Sequence, residues 1–85
     1  RIMEYVLTFV HDNASVTAPL FKGSIVSGSI LWGDGSDGTY MDGVKHDYVS
    51  AQEYTVKMTL QGGVDAQTVT FKDVVGIKEI DLTGM

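Results

Sequence analysis

Apolar and polar residues alternate along this chain in short runs, and the period of the alternation is two. From Met3 to Val10 the odd positions Met3, Tyr5, Leu7 and Phe9 are apolar, with Glu4 and Thr8 between them, which predicts a strand with one buried face. From Glu53 to Leu60 the alternation is unbroken, Tyr54, Val56, Met58 and Leu60 against Thr55, Lys57 and Thr59. Ser29-Ile30-Leu31-Trp32 is a short apolar run that stops at the Gly/Asp cluster spanning 33–38, so it reads as a buried strand entering a turn. Gln61-Gly62-Gly63-Val64-Asp65 predicts a turn. It leads to a stretch where Val69 and Phe71 face one way and Thr68, Thr70 and Lys72 the other, so that the two runs pair as a hairpin. Ile80 and Leu82 against Glu79 and Asp81 give a last strand. The polar run from His11 to Pro19 reads as a loop, Leu20 to Gly28 as a mixed stretch without a clear strand signal, and Thr39 to Val44 as loop or short edge strand. No stretch carries a helical stripe.

Short strands joined by turns, with no helices to cover them, bury their apolar faces against a second sheet or by closing on themselves. The expected fold is all-β, a sandwich of about seven antiparallel strands.

Composition narrows the setting. The 85 residues form one domain, 1–85, and 44% hydrophobic with 20% charged residues removes the chain from the disordered class. A net charge of −5 repels a phosphate backbone or an anionic membrane surface at long range, so nucleic acid is not an expected partner. No apolar run approaches the roughly 20 residues of a membrane helix. The absence of cysteine excludes disulfides, thiolate metal sites and a thiol nucleophile, and favours a cytosolic or bacterial origin. With Arg1 first and no basic-then-apolar leader, the chain reads as an excised part of a longer protein.

The candidate chemistry is thin. Gly33, Gly35 and Gly38 have the G-x-G-x-x-G spacing of a dinucleotide loop, but that loop needs a helix opening directly after it to hold the pyrophosphate. Thr39-Tyr40-Met41-Asp42-Gly43-Val44 has no helical stripe, and Asp34 and Asp37 oppose phosphate charge. A turn in which Asp34 accepts from amides two residues on, with glycine on either side permitting positive φ, is the expected role. Asp34, Asp37, Asp42 and Asp47 suggest calcium by number, yet Gly38 and Thr39 break the D-x-[DN]-x-[DN]-G ligand pattern, so solvated turn acids are expected. His46 and Tyr48, two apart, share a face; without an activated nucleophile beside them, Tyr48 is expected to seat its ring in the core and tie down backbone with its hydroxyl. His11 stands as a lone loop histidine. Trp32 is expected in the core, while Tyr40, in a polar loop, is the residue that could join it in a sugar-binding platform. Asn13-Ala14-Ser15 matches a glycosylation acceptor that has meaning only in a eukaryotic secretory pathway. No catalytic residue, cofactor site or metal site is expected.

Three pieces in order, Trp32-Gly33-Asp34-Gly35-Ser36, His46-Asp47-Tyr48 and Glu53-Tyr54-Thr55-Val56-Lys57-Met58-Thr59-Leu60, resemble the PKD domain. Its signature is an aromatic with Gly-Asp-Gly-Ser, then His-x-Tyr, then a Tyr-x-Val strand. The likeness spans roughly Ile30 to Leu60; Gln52 stands where members usually have glycine, and Ile30 and Leu31 where they commonly have Trp-Asp, so the domain is PKD-like and divergent. The resemblance implies an immunoglobulin-like sandwich, with Trp32, Gly33, Asp34, Gly35, His46, Tyr48, Tyr54 and Val56 as its structural motif. It also implies a non-catalytic adhesion, interaction or spacer module in the exported or cell-surface part of a bacterial protein, contacting a protein or carbohydrate ligand. The alternative is a carbohydrate-binding accessory domain of a secreted polysaccharide-degrading enzyme, which requires an exposed aromatic pair. Ile77, Ile80, Leu82 and Met85 are spaced like the opening of a leucine-rich repeat, so residues 77–85 stand either as the start of such an array or as the last strand of the sandwich.

Overall fold

The structure is a computed structural model that describes the backbone at residues 3–22, 25–41, 43–62, 68–70 and 77–84, with side chains at 4–20, 27–41 and 43–62. Among the described residues the chain is antiparallel β with no helix. The strands are β1 (Met3–His11), β2 (Ser15–Thr17), β3 (Leu20–Lys22), β4 (Ile25–Leu31), β5 (Asp37–Thr39), β6 (Lys45–Asp47), β7 (Tyr54–Gly62), β8 (Thr68–Thr70) and β9 (Ile77–Gly84).

A five-stranded sheet in the order β5-β4-β7-β1-β9 forms the larger layer, and the pairs β2-β6 and β3-β8 form the rest. β7 lies at the centre, paired by β1 and β4, and its alternation sets one face inward: Tyr54, Val56, Met58 and Leu60 are buried, while Thr55 and Lys57 are exposed on the other. β1 pairs with it along its whole length, from Met3 opposite Gly62 to His11 opposite Tyr54, which sets Tyr5, Leu7 and Phe9 beside the β7 core residues. Leu7, Phe9, Ile30, Val56, Met58 and Leu60 are at most 1% exposed, and burial of side chains of this size contributes about 1.5–3 kcal/mol each. Val16, Ala18, Tyr40 and Tyr48 pack onto the same cluster from outside the five-stranded sheet, with Val44 at its margin.

The strand assignments differ from expectation in four places. β7 does not pair with the stretch after it as a hairpin. Both its edges are taken, by β1 and β4, so β8 pairs with β3 instead; Gln61 and Gly62 continue β7, and the rest of the expected turn, 63–65, lies outside the described residues. The mixed stretch ahead of Ser29 is strand from Ile25, since Ser27 and Ser29 lie on the exposed face. There Ser27 Oγ donates to Gln61 Oε1 at 2.9 Å, and Gly28 leaves room for Leu60 and Tyr40, into which a Cβ would run. The polar run after Val10 contains the end of β1 and all of β2, a strand of three residues and too short to display a period. A short edge strand is present at Asp37–Thr39, starting two residues ahead of the expected stretch, and among the described residues it pairs with β4 alone; beyond Thr39 the described residues up to Val44 are loop, the other form expected for that stretch. The expected facing of the side chains in 68–72 and 77–82 lies outside the described residues, as does Asp42.

The register also sets the poles of the sheet. Met3, Gly62 and Ile25 lie at one end, and Gly84, opposite Val6, approaches the same end. His11, Tyr54, Ile77 and the exit of β4 into Trp32 lie at the other.

Candidate functional site

All the motif residues singled out in the sequence gather at the pole where His11 and Trp32 sit. Leaving β4, the chain enters the Trp32–Ser36 turn, closed by Trp32 N–H donating to the Ser36 carbonyl at 3.1 Å. Gly33 and Gly35 have φ of +93° and +91°, the left-handed region that a side chain disfavours. At Gly33 a second demand applies: a Cβ would lie 2.6 Å from the Thr55 carbonyl oxygen, so the turn is pressed flat against β7. Between the glycines, Asp34 Oδ1 accepts from the Ser36 amide at 3.0 Å and from the Ser36 hydroxyl, and Oδ2 accepts from His46 Nε2 at 2.8 Å. These bonds, from the Ser36 hydroxyl first and His46 next, hold the Asp34 carboxyl well below the usual carboxylate range.

Beneath the turn the aromatic rings form a stack. The His46 ring lies flat on Trp32, with centroids 4.8 Å apart and planes 7° from parallel, and meets Tyr48 edge-on at 4.6 Å. Tyr48 in turn stacks on Tyr54 at 3.8 Å. The Tyr48 hydroxyl donates to the Trp32 carbonyl at 2.7 Å and meets His11 Nε2 at 3.0 Å, while the Tyr54 hydroxyl donates to the Ser50 carbonyl at 2.7 Å. Burial pushes the Tyr48 hydroxyl well above the usual tyrosine range, with the charges of Asp34 and Tyr54 adding to it. Tyr48 N–H donates to the Ala14 carbonyl at 2.8 Å, which extends the β2-β6 ladder to the pole. Val56 follows as the next core residue of β7 and is fully buried.

His11 is not a loop residue. It ends β1, is completely buried, and has its ring within 5.6 Å of Tyr54 and 5.2 Å of Tyr48. Its hydrogen bonds decide its tautomer. Nδ1 accepts from the Asn13 amide at 3.2 Å, and the single proton of the Tyr48 hydroxyl is committed to Trp32, so Nε2 must carry the ring proton and donate to Tyr48. Burial lowers the pKa of His11, against a smaller raising effect from Asp12. The alternation of β1 contained this signal, because His11 is the next odd position after Met3, Tyr5, Leu7 and Phe9.

The group Asp34, Ser36 and His46 has the membership of a hydrolytic triad but not its wiring. A triad uses the two ring nitrogens for different partners, one for the acid and one for the nucleophile. Here Asp34 and Ser36 both address Nε2, at 2.8 and 3.3 Å, and the Ser36 hydroxyl proton goes to Asp34. No nitrogen is left in place to accept a proton from Ser36. The dinucleotide reading meets a similar obstacle: Gly38 lies within β5, so a strand follows the loop where a helix N-terminus is needed. For calcium, Asp34 directs both oxygens inward to Ser36 and His46, and Asp47 lies 3.7 Å from Lys45. Among the described residues no group of three or more His, Cys, Asp or Glu side chains comes together as metal ligands. Trp32 and Tyr40 are 4% and 8% exposed, and the Tyr40 hydroxyl donates to the Pro19 carbonyl at 3.2 Å; the pair forms no surface platform.

What the pole does expose is loop. Residues 12–14, 33–36 and 49–53 surround the stack, and Val49 stands fully exposed at the tip. No family model matches the chain, and neither a curated protein nor a solved structure matches it.

Proposed function

We propose that this chain is a divergent PKD-like domain of immunoglobulin type, a non-catalytic adhesion or interaction module of an exported bacterial cell-surface protein. The observation that carries the reading is convergence. The aromatic-Gly-Asp-Gly piece, the His-x-Tyr piece and the Tyr-x-Val piece are separated in sequence, yet they meet in one corner: Gly33 lies on Thr55, the Tyr48 hydroxyl on the Trp32 carbonyl, and Tyr48 on Tyr54. The hydroxyls of Tyr48 and Tyr54 and the Asp34 carboxylate there are used to hold backbone, a ring or the neighbouring Ser36. A corner of this kind supports loops and does no chemistry.

Of the roles open to such a module, contact suits the geometry better than in-line spacing. Met3 and Gly84 lie toward the same end of the sheet, so a longer chain would enter and leave there and present the loops at 12–14, 33–36 and 49–53 outward. The leucine-repeat spacing of Ile77, Ile80, Leu82 and Met85 belongs to the same proposal: among the described residues β9 pairs only with β1, which leaves its other edge for a following strand.

The test is binding by the intact domain to arrays of immobilised extracellular proteins and polysaccharides. Saturable binding to a protein or glycan, weakened by Val49→Asp, supports the reading. Binding that ignores every loop substitution, or turnover of an ester or glycoside that Ser36→Ala abolishes, would count against it.

A further inference from the structure

The histidine under the pole has bonding that only one protonation state satisfies. Neutral His11, with its proton on Nε2, accepts at Nδ1 from Asn13 N–H and donates to Tyr48, which donates onward to Trp32. A second proton on Nδ1 would point at the Asn13 amide hydrogen, two donors head to head, and that bond is lost. The charged ring would also sit in a site with no solvent access.

Among the described side chains, the titratable groups around His11 are Asp12 on its own segment, Tyr54 on β7 and Tyr48 beyond β6, with Asp34 and His46 one step further out behind Tyr48. On β9 its register partner is Ile77. Among the described side chains no carboxylate accepts a hydrogen bond from the ring, and Asp12 is an exposed residue. A buried imidazolium is disfavoured, so a second proton favours conformations that bring the ring to water.

We infer that His11 is a proton-operated latch on this pole: its second proton breaks the bond to the Asn13 amide and places a charge in the buried site beside Tyr48, and the loops at 12–14, 33–36 and 49–53 loosen together as the solution acidifies. The coupling is direct. Asn13 borders Ala14, whose carbonyl holds the Tyr48 amide, while Tyr48 holds Trp32 at the mouth of the glycine turn and stacks on Tyr54, which holds Ser50. A histidine held neutral in the fold and charged on acidification is the usual element of such switches. The inference concerns the fold of the pole and stands whether or not that pole binds a partner.

The experiment is a ¹⁵N nuclear magnetic resonance titration of the whole chain from about pH 8 to about pH 5. The expected result is a His11 ring bearing its proton on Nε2 at neutral pH and titrating below the ordinary histidine value. The Asn13, Tyr48 and Trp32 amides should shift with the same midpoint, and Asn13 exchange, corrected for its intrinsic rate, should rise about tenfold. His11→Gln keeps a donor for Tyr48 and cannot titrate, so it should flatten the response. A proton on Nδ1 at neutral pH, pole amides that follow the His46 midpoint, or a response that persists in His11→Gln would overturn the latch. If His11→Gln does not fold, the wild-type tautomer and the shared midpoint decide.

Discussion

Gly33 rests on the backbone of Thr55, close enough that a methyl group at Gly33 would lie 2.6 Å from the Thr55 carbonyl oxygen and 3.0 Å from its amide nitrogen. Gly35, with nearly the same φ, faces nothing within 4 Å. The two glycines therefore separate conformational from steric cost. Gly35→Ala should lose about 1–2 kcal/mol, the cost of a left-handed residue, whereas Gly33→Ala adds a clash with backbone that cannot move aside and should lose about 3 kcal/mol or more. Urea melts followed by the fluorescence of Trp32, the single tryptophan, measure both. Equal losses would mean that the turn does not press on β7.

The pH dependence of stability should have two acid limbs. His11 has its folded pKa lowered by burial, so the unfolded chain binds the proton first. Its contribution is complete above the ordinary histidine value of about 6.5 and is lost as pH falls from there toward the folded value. Asp34 is also lowered, by its bonds to Ser36 and His46; its contribution is present above the ordinary carboxylate value and is lost only in stronger acid. Thermal melts across this range should show the upper limb vanish in His11→Gln and the lower limb shrink in Asp34→Asn. An upper limb that survives in His11→Gln would assign it to another group.

Direction of load should matter. Because Gly84 is opposite Val6 and β9 is antiparallel to β1, tension applied through Met3 and Gly84 opens the β1-β9 ladder from one end, a few bonds at a time. Tension between Met3 and Val49 runs along the sheet and loads many bonds together. Single-molecule pulling should find the lower unfolding force with handles at Met3 and Gly84. The opposite order would restore the in-line spacer as the better role.

Much of this was legible before any coordinates. Period-two alternation located β1 and β7 because nine-residue strands repeat the pattern several times, and the Asp34 turn followed from glycine and aspartate chemistry. The short strand β2 was not legible, since three residues carry no period and its pairing is decided by a distant partner. The hairpin after β7 failed for a related reason: sequence proximity favours it, but a central strand is paired on both sides, and the competition for its edges is settled by tertiary packing. His11 was misread because its polarity outweighed its place in the alternation. A polar residue on the buried parity of a strand is a reason to look for its hydrogen-bond partners.

The Tyr48 hydroxyl is the joint of the pole, accepting from His11 and donating to Trp32. Tyr48→Phe keeps the ring in its stack and leaves both the Trp32 carbonyl and the His11 Nε2–H without a partner in a buried site, at about 1–3 kcal/mol each. Tyr54→Phe removes only a bond to Ser50, an exposed residue where water can replace it, at about 1 kcal/mol or less. The most direct measurement is the unfolding free energy of these two variants beside the parent, by urea denaturation at neutral pH: a loss of about 2–4 kcal/mol for Tyr48→Phe, well above that for Tyr54→Phe, is the predicted result. A Tyr48→Phe protein as stable as the parent would contradict it.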